Sequence, residues 1–97
     1  MQKNKPKVIK DYDKLPEELV EQIKLNYPFG FEKNLVTFKN KEGKFVSALP
    51  FEGEQFYYLI RMTKEEAQDI IEDDDDYDED GNLMEDVQDE LSDKYEE

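Results

Sequence analysis

Seven of the eight residues from 73 to 80 are acidic, and that run divides the chain. Like charges at such density cannot be buried together, and they repel one another along the backbone. Residues 1–62 hold eleven Lys/Arg against nine Asp/Glu, whereas residues 63–97 hold two lysines against eighteen acids. The formal net charge of −14 therefore sits almost wholly at one end. This predicts a near-neutral body over residues 1–72 and an acidic, mostly disordered tail over residues 73–97. On that division residues 1–72 alone keep the whole fold, because the apolar stripes of the body end at Ile71.

Within the body the hydrophobic spacing specifies elements. Residues 8–12 read as a short strand. Pro16 opens a helix at a position that tolerates its missing N–H, and Glu17 and Glu18 complement the helix dipole. Leu19, Val20, Ile23 and Tyr27 recur at helical spacing, and Pro28 ends the run. Phe29-Gly30-Phe31 reads as a turn that tucks aromatics against the core. Residues 35–39 and 44–49 form strands around the turn Asn40-Lys41-Glu42-Gly43, with Gly43 suited to a left-handed position. Pro50 and Gly53 bracket a loop, and residues 56–62 give the strongest strand. Thr63-Lys64-Glu65-Glu66 is a capping box opening a second helix, which buries Ala67, Ile70 and Ile71 and runs to about Asp73. The predicted class is α+β, ordered (β)αβββα, with a three- or four-stranded antiparallel sheet and two helices on one face. In the tail, Leu83, Val87, Leu91 and Tyr95 fall four apart and fit a short amphipathic helix, marginal unless a partner orders it.

Several function classes are disfavoured by what the 97 residues lack. There is no cysteine, so disulfide and thiolate chemistry are absent. There is no histidine, which removes the commonest general base and metal ligand. Ser47 and Ser92 are the two serines and have no base to activate them, and Gly30, Gly43, Gly53 and Gly81 make no phosphate loop. No catalytic or cofactor-binding residue is assigned, and an enzyme is not expected. No apolar run suits a signal peptide or a membrane span, so a cytoplasmic protein is expected.

Two constellations remain. Asp76, Asp78 and Asp80 with Gly81 and Leu83 reproduce the opening of an EF-hand calcium loop, with carboxylates at loop positions one, three and five. The closing bidentate acid is missing: position twelve is Val87, and Glu85 and Asp86 are out of register. Ca2+ is therefore a candidate ligand of a partial site. The second constellation is basic. Lys39, Lys41 and Lys44 cluster at the hairpin tip, Lys3, Lys5, Lys7 and Lys10 line the N-terminal stretch, and Phe56, Tyr57 and Tyr58 offer aromatic faces of the kind that stack single-stranded nucleic acid. Arg61 is the one arginine, so bidentate phosphate contacts are scarce.

Asp11-Tyr12-Asp13-Lys14-Leu15, Pro28-Phe29-Gly30-Phe31, Phe38-Lys39-Asn40-Lys41-Glu42-Gly43, Tyr58-Leu59-Ile60-Arg61-Met62 and the Asp-rich tail together resemble a family of small, acidic, uncharacterised Bacteroidota proteins. Some members carry the label DNA primase. The resemblance implies no catalytic residue here, since neither a zinc ribbon nor a paired-metal carboxylate site can be identified. It implies at most a context near nucleic acid. The leading expectation is a non-enzymatic protein-interaction module, monomeric because the tail repels its copies, with an unidentified protein partner. The alternatives are a calcium-binding tail, and a nucleic-acid-associated protein whose tail modulates access to the basic patch.

Overall fold

The computed structural model describes residues 5–95. Four strands form one sheet in the order β1-β4-β3-β2: β1 Lys7–Asp11, β2 Val36–Lys39, β3 Phe45–Glu52 and β4 Tyr57–Arg61. Three helices accompany them: α1 Glu17–Asn26, α2 Lys64–Asp73 and α3 Glu85–Tyr95. The class is α+β, as the spacing predicts, and no described helix is long and apolar enough to cross a membrane.

The β2-β3-β4 meander is antiparallel. The sheet as a whole is mixed, which corrects the antiparallel expectation: β1 runs parallel to β4, with Ile9 opposite Leu59. No tight turn joins these two strands, so loop geometry does not dictate their direction. The sheet also takes in Pro50, expected in a loop. Met62 N–H donates to the Ser47 carbonyl at 3.2 Å, which sets odd-numbered β3 residues to bond β4. Pro50 therefore aims its nitrogen and carbonyl away from β4, past the end of β2, where a missing N–H costs no ladder bond. The Tyr27 hydroxyl donates to that carbonyl.

Alternation sends Leu49, Phe51 and Ile60 to one face, where they meet Ile23 of α1, Ala67 and Ile71 of α2, and Phe31. The turn after α1 splits its aromatics: Phe31 is fully buried, while Phe29 is exposed. The capping box forms as expected. Glu66 N–H donates to Thr63 Oγ1 at 3.0 Å, and Thr63 N–H donates to Glu66 Oε1 at 2.9 Å.

The packing does not stop at residue 72. Tyr77 and Leu83 join the core, and α3 lies against α1 with Leu91 buried. The acidic run thus reads differently in space than in sequence. Its one aromatic, Tyr77, turns inward, its carboxylates turn to water or to one buried lysine, and it leads into a third helix. Residues 96 and 97 and Lys3 lie outside the described residues.

Candidate functional site

Lys24 anchors the acidic segment. It stands on the apolar stripe of α1, beside Ile23 and three residues before Tyr27, and is 8% exposed. Its ammonium lies 2.6 Å from Asp74 Oδ2 and 2.9 Å from Asp76 Oδ2. Burial works to lower the Lys24 pKa, but hydrogen bonds to Asp74 and then Asp76 outweigh it and the net shift is upward. Next to this pair the Tyr77 ring packs edge-on to Phe31, 6.1 Å between centroids, and its hydroxyl donates to the Tyr27 carbonyl at 3.0 Å. Burial drives the Tyr77 hydroxyl well above its ordinary pKa. A second anchor holds α3. Glu21 accepts from the Tyr95 hydroxyl and, at 3.0 Å, from Lys94 Nζ. These two bonds, Tyr95 first, lower the Glu21 pKa.

Between the anchors the chain forms a small hairpin closed by a Tyr77–Leu83 bridge. Asp78 Oδ1 accepts from the N–H groups of Asp80 at 2.9 Å and Asn82 at 3.0 Å, while Gly81 holds φ +84°. The β2-β3 turn is built the same way. Asn40 Oδ1 accepts from Glu42 at 2.9 Å and Lys44 at 3.0 Å, and Gly43 also holds φ +84°. In both, the first residue's N–H bonds the carbonyl four residues on, and the glycine N–H bonds back to the first carbonyl. Asp78-x-x-Gly81 is thus a side-chain-capped turn with a left-handed glycine, a motif legible from its match to Asn40-x-x-Gly43.

The three aspartates named as a calcium site are therefore directed apart. Asp76 faces Lys24, Asp78 caps its own turn, and Asp80 is exposed. Among the described residues no group of three acidic side chains is gathered closely enough to hold a metal ion. The basic constellation is likewise divided. Lys39, Lys41 and Lys44 surround the hairpin tip without an ion pair among the described residues, with Lys39 Nζ 5.4 Å from the centre of the exposed Phe45 ring. Tyr57 pairs with Glu52, seven residues along β3 from Phe45, or about 23 Å. Tyr58 packs between Phe51 and Phe56. The hairpin-tip lysines do not share a surface with Phe56, Tyr57 and Tyr58, whereas Lys7 of the N-terminal stretch stands opposite Tyr57.

What the fold does gather is acid. From Glu65 to Asp93 fourteen carboxylate side chains are exposed on α2, the Asp78 turn and α3. None has a cation within 4 Å among the described residues. Lys64 pairs with Glu32 and Lys94 with Glu21, both outside the segment. Beside the turn lies a hollow of about 510 Å³ with Phe29, Ile71 and Tyr77 in its wall and Glu72, Asp78 and Asp80 among its acids.

The anchors escaped the sequence reading, although two signals were present. Lys24 interrupts an otherwise apolar helical stripe, and Tyr77 is the single aromatic in the acidic run. No family model, curated protein or solved structure matches the chain.

Proposed function

We propose that the chain is a non-enzymatic protein-interaction module whose acidic helical layer receives a basic surface of a partner protein. The observation that supports this best is the set of fourteen exposed, uncompensated carboxylates on elements tied down at Lys24 and Glu21. Charge left unpaired at this density costs stability through self-repulsion, and it steers and orients a partner of opposite sign. Because the acids stand on packed helices, binding need not order a chain first. The hollow beside the turn suits a lysine or arginine of the partner, with its alkyl stem on Phe29, Ile71 and Tyr77 and its charge at the acidic rim.

The test is titration of the isotope-labelled full chain with a Lys/Arg-rich peptide at about 50 and about 300 mM salt. Saturable amide shifts are expected on α2, the turn and α3, with affinity falling as salt rises. Glu72→Gln with Asp80→Asn should weaken binding several-fold. Shifts that never saturate, or that ignore the double substitution, would overturn the reading.

A further inference from the structure

The core cluster packs on one side of the sheet, and the other side, where Ala48 is fully buried between Arg61 and Val36, carries further apolar residues between its charged ones. Ile9, Leu59 and Pro50 form one cross-strand row, Val46 and Phe38 another, with Val36 at the edge between them. None of these six belongs to the core cluster. Ile9 is 51% exposed and Val36 41%. The molecule is 21 Å across its thinnest axis, the depth of one sheet with one helical layer. Four of the charges on this face are paired, with Arg61 Nη2 2.9 Å from Asp11 and Lys5 Nζ 2.9 Å from Glu52, and Lys7, in the row of Tyr57 and Glu52, leaves one net positive charge.

We propose that this bare sheet face is where two copies of the chain associate, sheet against sheet, with their acidic helical layers outward. The charge distribution selects the occupant. The face carries a single net positive charge, that of Lys7, too little to select a strongly charged partner, so its match is another nearly neutral, largely apolar, pleated surface. A second copy supplies one under two-fold symmetry. For a chain of net charge −14, contact through the helices would bring like charges within a few ångströms. Contact through the sheets does the reverse. Two packed sheets lie about 10 Å apart and each helical layer about 10 Å beyond its own sheet, so the acids of the two copies stand about 30 Å apart. That is several screening lengths at physiological salt, but only about one at 0.01 M. The monomer expected from tail repulsion loses its main argument here, because the acids lie on the side away from the contact. Four strands make a small interface, so association should be weak. This inference rests on the sheet and not on the acidic layer, and either reading can fail without the other.

Salt separates them. Binding of a basic partner weakens as salt rises, whereas sheet-to-sheet pairing of two polyanions strengthens. Sedimentation equilibrium of the full chain from about 20 to about 500 mM NaCl should show a dimer fraction that grows with salt. Ile9→Lys with Val36→Lys, at positions already open to water, should weaken the dimer at least tenfold. Gln68→Lys on α2 should leave it intact. Independently of any variant, dilution of the unmodified chain should shift amides across β1, β4 and β3. A monomer at every salt and protein concentration overturns the proposal, and leaves the face to a different protein. So does a dimer that weakens with salt or survives the double substitution. Dilution shifts confined to β2 would mean edge-to-edge strand pairing, and shifts confined to the helices a different interface; both also overturn it.

Discussion

Lys24 and Asp74 are joined by a 2.6 Å ion pair in which both side chains are largely withdrawn from water, at 10% and 18% exposure. This bond ties the acidic run to α1, the first helix of the body. Lys24→Met removes the cation and leaves Asp74 in a poorly hydrated place, with Asp76, at 40% exposure, less affected. Breaking a buried pair from one side costs about 3–5 kcal/mol, and partial exposure reduces that here to roughly 2–3 kcal/mol. Urea unfolding at neutral pH should show this loss. Asp74→Asn in the Lys24→Met background should restore part of it, because the orphaned charge is then gone. A Lys24→Met variant of unchanged stability would mean that the acidic segment is held by its apolar residues alone.

Residues 1–72 should not melt cooperatively by themselves. Truncation after Glu72 uncovers Ile23, Phe31 and Ile71 and deletes Tyr77, Leu83 and Leu91, all buried. Each deleted side chain contributes roughly 1.5–3 kcal/mol of burial. Three of them match or exceed the roughly 3–6 kcal/mol of total stability expected for a domain this small. Loss of self-repulsion among the deleted acids offsets some of this, but it cannot rebuild the missing wall of the core. Calorimetry of the fragment against the full chain decides the matter, and a sharp transition in the fragment would restore the boundary at residue 72.

What was legible in the sequence is what neighbours decide. The Thr63–Glu66 capping box, the Asn40–Gly43 turn and the antiparallel order of β2, β3 and β4 are set by residues within a few positions of one another and are found as expected, except that β3 runs on through Pro50 to Glu52. The parallel pairing of β1 with β4 joins residues about fifty positions apart, and nothing local encodes its direction. Density of charge misled at the acidic run for a related reason. It counts carboxylates but does not say where each one points, and the few that approach the body find Lys24, whose burial is itself a tertiary fact. The calcium-like spacing of Asp76, Asp78 and Asp80 has a similar origin, because an aspartate-capped turn and a cation loop both need an acid followed by a left-handed glycine.

That shared requirement gives a sharp test at Asp78. Asn40 holds the equivalent turn with a carboxamide oxygen, so Asp78→Asn should preserve both backbone bonds and change stability by less than about 0.5 kcal/mol. Asp78→Ala should cost about 1 kcal/mol, the scale of a lost local side-chain cap. Gly81→Ala should cost about 1–2 kcal/mol from the left-handed backbone alone, since the added methyl would meet Ile71 Cγ2 at an ordinary 3.8 Å. Calcium titration of the full chain should give no saturable response below about millimolar, where sensor-type loops would already be filled. Saturation below that level, abolished by Asp78→Asn, would reassign the turn as a cation site.

The α3 anchor should report acid in a defined direction. Glu21 has a lowered pKa because Tyr95 and Lys94 bond its ionised form. A depressed carboxyl pKa contributes stability that is fully present above the unfolded value, about 4.5, and is lost as pH falls through the lower folded value. Lowering the pH also reduces the net negative charge of the chain as a whole, and with it the self-repulsion. The unmodified chain alone therefore cannot isolate the anchor, but its difference from Glu21→Gln can. At pH 7 the variant should melt a few degrees lower and exchange its α3 amides faster. The gap should close as pH falls below 4.5 and vanish once Glu21 is protonated in both states. A gap that stays constant with pH would assign the contribution of Glu21 to packing instead of to its charge.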